Sequence, residues 1–141
     1  MVIWIRGAWD IASGIAFRLY QSGFLVMMSD LPVPTSIRRT TCFSEAIIRG
    51  ETTVEHVTAV FARDAADADR ILKRGAIAVL ADPEGAEARK LNPTAIVDAI
   101  LAKRNTGTAM RDAQVVVGVG PGFTAGVDCH AVVETMRGHT L

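Results

Sequence analysis

Two glycine-rich turns, each following an apolar run, hold the residues in this sequence best suited to chemistry. The first is Gly7-Ala8-Trp9-Asp10-Ile11-Ala12-Ser13-Gly14, after Val2–Arg6 and at the start of a helical pattern. That is the context of a dinucleotide fingerprint, G-x-G-x-x-G/A. Read in that frame the three positions are Gly7, Trp9 and Ala12. The first and third fit. The second, where glycine lets a pyrophosphate approach the backbone, is an indole. Asp30 stands about twenty residues on, where a ribose-binding acid is expected. Whatever Trp9 does, the helix N-terminus offers N–H groups to an anion. The competing reading is a tight turn with no ligand.

The second turn is Val115-Val-Val-Gly118-Val-Gly120-Pro-Gly122-Phe-Thr124-Ala-Gly126. Glycines there permit positive φ and close approach of a ligand. Successive N–H groups in such a loop form an anion nest. No Lys-Ser/Thr pair follows, so it is not a Walker A loop. The competing reading is a loop that turns the chain beneath another element.

Three further groups carry polar chemistry. Asp98 closes an apolar run and is followed by Lys103, Arg104 and Asn105. Open parallel sheets bind ligands at strand ends, and the two cations and the amide suit phosphate or carboxylate. Arg38 and Arg39 lie among Thr35, Ser36, Thr40 and Thr41, a guanidinium and hydroxyl patch suited to an oxyanion such as a 2′-phosphate. Asp128, His130 and Glu134 share a face on a strand because their spacings are even, and are candidates for acid/base work. No metal set is assigned. For each group the plainer alternative is a solvated loop or a hydrogen-bonded side chain.

The elements that must position these residues alternate between strand and helix. Val2–Arg6 is a short β-branched run. A helix over 10–22 shows Ile11, Ile15 and Leu19 at spacing four, with Ala12 and Ala16 beside them and Gly23 as its stop. Phe24–Met28 is a second strand with Asp30 just beyond. Leu31–Pro34 is a rigid, extended connection. Residues 43–49 make a short helix ended by Gly50, and 52–60 hold one or two short strands. Asp64 caps a helix through Arg74, and Ala76–Leu80 is a strand. Asp82-Pro83-Glu84 starts a helix closed by Asn92-Pro93. Ala95–Asp98 and Val115–Val117 are strands, and Val132-Val133 a short edge. The pattern predicts an α/β, Rossmann-like fold, a mostly parallel sheet with helices on both faces, in a single domain over 1–141.

Composition narrows the classes. The chain has 141 residues, 15 basic and 15 acidic side chains, and no net charge. A neutral chain lacks the basic face that sequence-independent nucleic-acid binding requires. It also lacks a polybasic membrane anchor, and no run of 18 apolar residues is free of charges or breaks. Two cysteines, Cys42 and Cys129, without a CxxC, exclude a disulfide framework and point to a reducing, cytoplasmic compartment. Half the residues are apolar, but 21 of them are alanine, which suits helices packed closely on a sheet.

Together, Ile5-Arg-Gly-Ala-x-Asp-x-Ala-x-Gly-Ile-Ala, Pro34-Thr-x-Ile-Arg-Arg-Thr, Asp98-Ala-Ile-Leu-Ala-Lys-Arg-Asn and Gly120-Pro-Gly-Phe-Thr-Ala-Gly-Val-Asp-x-His-Ala-Val-x-Glu-Thr-x-Arg-Gly-His form a pattern. It resembles the accessory proteins of the selenium-dependent molybdenum hydroxylase system, the YqeB family, over nearly the whole chain. The resemblance implies a Rossmann-like first domain, followed in the family by a further domain; the expectation for residues 1–141 is the first domain alone. It implies a role in molybdenum hydroxylase maturation, with the apoenzyme or other maturation proteins as partners. Family members commonly have glycine at the position of Trp9. The reading that joins these strands is an accessory protein binding a phosphorylated ligand, either a nucleotide, NAD(P) included, or a molybdopterin-type cofactor. The alternatives are an NAD(P)-dependent oxidoreductase-like domain and a ligand-free interaction module. Self-association of the chain is compatible with all three.

Overall fold

The computed structural model describes residues 1–8, 10–30, 43, 45–82, 84–101, 105 and 107–134. In chain order the elements are β1 (Val2–Arg6), α1 (Asp10–Gln21), β2 (Leu25–Asp30), α2 (Glu45–Arg49), β3 (Glu51–Val54), β4 (Val57–Ala62), α3 (Ala65–Lys73), β5 (Ile77–Ala81), α4 (Ala86–Arg89), β6 (Ala95–Asp98), a 3₁₀ turn (Met110–Asp112), β7 (Val115–Val119) and β8 (Ala131–Val133). They build one sheet of order β3-β4-β5-β2-β1-β6-β7-β8. Neighbours run parallel except β3 and β4. This is the doubly covered, Rossmann-like α/β arrangement.

The central strands are buried on both faces, so their sequences are continuous apolar runs rather than alternating ones. Ile3 and Ile5 of β1 face the side of α1 and α2 with Val26 and Met28; Trp4 faces α3 and α4 with Met27 and Ile96. Handedness sets this division. Chain moving from β1 toward β2 and β4 carries its helices on one face. Chain moving the other way, from β4 to β5 and on through β6, β7 and β8, must put its connections on the opposite face to keep each crossover right-handed.

Local chemistry explains the element ends. Asp64 caps α3, its Oδ1 accepting from Asp67 N–H at 2.9 Å, and Gly75 turns the chain out at φ 87°. The Arg63 N–H on the Asp67 carboxylate holds its pKa below the ordinary range, helped by Arg70. Glu87 is likewise lowered, first by the hydrogen bond from Lys90 and then by Ala65 N–H, which ties α4 to the start of α3.

Three local expectations shift. Along α1 the residues pressed on the sheet are Ala12 and Ala16, both fully buried, while Ile11 is 39% exposed. Alanine lets the helix axis approach the sheet, so the isoleucines become flanks. The β2 strand runs to Asp30 rather than stopping before it. The helix expected from Asp82 begins four residues later, at Ala86, with Gly85 left-handed at φ 80°. Asp82 still caps it: Oδ2 accepts from Glu87 N–H at 2.9 Å and Ala88 N–H at 3.0 Å. A Cβ on Gly85 would stand 2.1 Å from Cη2 of the fully buried Trp4, so backbone without a side chain passes there.

Candidate carboxyl-edge site

The parallel strands end on one edge, and the strand order reverses at β1, which lies between β2 and β6. Open α/β sheets place ligands in the crevice at such a point. Gly7 leaves β1 there at φ 112° and its N–H donates to Ser29 C=O at 2.6 Å. A Cβ on Gly7 would stand 2.9 Å from the Ala99 carbonyl oxygen, so the turn lies tightly against the end of β6. Ala8 is fully buried, and its carbonyl accepts from Ser13 Oγ at 2.8 Å. Asp10 is the first residue of α1. Asp30 ends the neighbouring strand and is half-buried, its carbonyl accepting from Asp82 N–H at 3.0 Å. Of the expected cofactor residues, Gly7, Ala8, Asp10 and Asp30 therefore meet at the ends of β1 and β2. Trp9, Arg38, Arg39, Lys103 and Arg104 lie outside the described residues.

Across the sheet, Ser29, Arg6, Asp98 and Gly118 form one row of register partners. Arg6 and Asp98 are both buried. Arg6 Nη1 donates to Thr108 Oγ1 at 2.7 Å, and that hydroxyl donates onward to Asp98 Oδ2 at 2.6 Å. One hydroxyl thus links a guanidinium and a carboxylate beneath the edge, through hydrogen bonds strengthened by charge. Asn105 shapes the turn that delivers Thr108. Its Oδ1 accepts from the N–H groups of Gly107 and Thr108 at 2.9 and 2.8 Å, and its Nδ2 donates to Thr108 C=O at 2.6 Å. Asn105 is therefore spent on the chain itself rather than held out for a ligand. Trp4 completes the underlayer. Its Nε1 donates to Ser29 Oγ at 2.8 Å, and the guanidinium groups of Arg6 and Arg89 stand 5.5 and 5.2 Å from its ring centre.

The second glycine loop folds onto its own strand. The space a Cβ would need at Gly118 is taken by the Phe123 ring, 2.4 Å away, and at Gly120 by Leu101 Cδ2 at 2.9 Å. Gly120 N–H donates to Val133 C=O, Gly126 N–H to Cys129 C=O, and the N–H groups of Val127 and Asp128 to Thr124 C=O. Thr124 N–H donates to Asp128 Oδ2 at 3.0 Å. These N–H groups close the loop on itself, so they do not form a nest facing a ligand. Gly122, at φ 93°, marks the turn's tip.

Asp128, His130 and Glu134 are not brought together. The Asp128 carboxylate holds the loop. His130 Nδ1 accepts from Val116 N–H at 2.9 Å near the start of β7. Glu134 follows β8 at its other end, about 13 Å along an extended strand from His130. Among the described residues no group of three or more His, Cys, Asp or Glu is placed to hold a metal ion.

Sequence reasoning missed Arg6, Thr108 and Trp4 as one unit. A lone arginine closing an apolar strand was the available signal: a charge buried there needs partners, and Asp98 closes the adjacent strand.

Fold and site together define a doubly wound, Rossmann-like α/β domain with a polar network under its carboxyl edge. Among known proteins, the chain is 53% identical over 137 residues, 97% of its length, to the uncharacterized protein YqeB of Escherichia coli (strain K12). It spans about a quarter of that relative's length, 25%. No family model matches, and no solved structure matches. No described helix is long and apolar enough to cross a membrane.

Proposed function

We propose that this chain is the ligand-binding module of a cytoplasmic accessory protein in molybdenum hydroxylase maturation. It holds a phosphorylated ligand, a nucleotide or a molybdopterin-type cofactor, and presents it to the apoenzyme or to other maturation proteins. The observation that carries the ligand reading is the reversal of strand order at β1, where Gly7 opens the N-terminus of α1 beside Asp30. In this reading helix N–H groups supply the anion contact, and Asp30 accepts from a ribose or pterin donor. Lys103, Arg104, Arg38 and Arg39 supply positive charge in this reading, and the Gly118–Gly126 loop borders the site. The similarity to YqeB and the motif resemblance support the accessory role. No reaction is assigned.

The test is native mass spectrometry of the purified chain, then thermal shifts with NAD, NADP, ATP, CTP and molybdopterin-type ligands. A ligand at about 100 times its dissociation constant stabilises the fold by about 2.7 kcal/mol. Absence of a shift with every phosphorylated ligand refutes the reading. Asp30 favours one second reading, an NAD(P)-dependent oxidoreductase-like domain. That reading requires a shift with NAD or NADP and none with the other ligands, and a larger one after Trp9→Gly.

A further inference from the structure

The sheet ends at β8, whose three residues Ala131–Val133 pair only with β7 among the described residues. Gly120 N–H donates to Val133 C=O, so the peptide groups of Val133 face β7. Backbone groups alternate sides along a strand, which turns the N–H and C=O of Val132 outward. An edge of this kind is a template for another strand. Its side chains are also unspent. Ala131 is exposed and Val133 is 49% exposed, both on the α1 side, because they are register partners of Val117 and Val119. No described helix follows β6 on that face, since right-handed crossovers send those connections to the other. His130 and Glu134 flank the strand symmetrically, and both are exposed. Because His130 Nδ1 accepts from Val116 N–H, the neutral ring carries its hydrogen on Nε2, a donor.

We propose that β8 pairs antiparallel with β8 of a second copy, about a twofold axis through Val132. The register follows from the outward peptide groups. Val132 meets the partner's Val132 and the two exchange a pair of N–H···O=C bonds. Ala131 then stands opposite the partner's Val133, an apolar contact made twice. His130 stands opposite the partner's Glu134, a donor facing a carboxylate, also made twice. The strand is self-complementary in this register: like charges never meet and each apolar residue finds another, as an isologous interface requires. So short a pairing sits at the small, transient end of interface sizes, and the dimer dissociates on dilution. This inference does not depend on the ligand reading.

Sedimentation velocity over about a hundredfold range of concentration tests it. The expected result is a reversible shift from monomer to dimer. Val132→Pro removes the outward N–H at an edge position that tolerates proline. It keeps the melting temperature of the dilute wild type and stays monomeric. Glu134→Arg, outside the strand, weakens association by about tenfold through two lost cross-strand pairs, and carries the test should the proline variant fail to fold. A monomer at every concentration overturns the proposal. So does a dimer that both variants leave intact, which would place association on another surface.

Discussion

Gly85→Ala tests the packing beneath the carboxyl edge. Two costs add at this residue. Gly85 sits at φ 80°, where an L side chain costs roughly 1–2 kcal/mol. The new methyl would also lie 2.1 Å from Cη2 and 2.4 Å from Cζ2 of Trp4. Trp4 is fully buried, hydrogen-bonded to Ser29 and flanked by two guanidinium groups, so it has no free direction in which to yield. Overpacking of this kind costs about 1–3 kcal/mol. The expected loss is therefore about 2–5 kcal/mol, a large fraction of the ~5–15 kcal/mol that holds a domain folded. Gly23→Ala supplies the control. Gly23 has φ 96° but nothing within 4 Å of its would-be Cβ, so it carries the backbone cost alone. Urea unfolding of both variants isolates the clash as their difference, about 1–3 kcal/mol. Trp4→Phe in the Gly85→Ala background should recover part of it. Equal losses at Gly85 and Gly23, within about 0.5 kcal/mol, would refute the reasoning.

Three further outcomes are expected. Thr108→Val removes the hydroxyl between buried Arg6 and Asp98 and should cost about 2–4 kcal/mol in urea unfolding, with Thr108→Ser much milder. The β3–β4 hairpin turns through Glu55 at φ 48° and His56 at φ 72°, a turn that favours Asn-Gly; replacing the pair should raise stability by about 0.5–1 kcal/mol, read as a higher melting temperature. Asp67 and Glu87 have depressed folded pKa values, so their stabilisation is present above the ordinary carboxylate range and is lost as pH falls through the depressed values. Urea midpoints should drop on that acid side, and Asp67→Asn with Glu87→Gln should flatten the drop.

Much of the fold is legible in the residues, for reasons that are local. The β-branched run Val2–Arg6, the Asp64 cap and the stop at Gly75 each act within a few residues of themselves. The placement of β5 between β2 and β4 is not local, and no periodicity encodes it. Neither is the close passage of Gly85 over Trp4, some eighty residues away in sequence. On α1, Ala12 and Ala16 were legible beside the Ile11, Ile15 and Leu19 stripe; that the alanines press on the sheet while Ile11 stays exposed was not, because close approach to the sheet selects the small side chains. At the site, the turn after β1 was visible because glycine marks it. The Arg6–Thr108–Asp98 link was not, since the threonine comes from an irregular turn. The even spacing of Asp128, His130 and Glu134 gives a shared face only on one continuous strand, whereas β8 covers just Ala131–Val133 and Asp128 stands in the turn before it.

The central claim, a phosphorylated ligand at the carboxyl edge where β1 and β2 end, is tested most directly by amide chemical shifts during a ligand titration. The probe is whichever of NAD, NADP, ATP, CTP or a molybdopterin-type compound gives the largest thermal shift. The account predicts that the largest perturbations fall on Gly7, Ala8, Ile11 and Asp30, with smaller ones at Ile100. Perturbations confined to residues elsewhere, or absent with every ligand at saturating concentration, would contradict it.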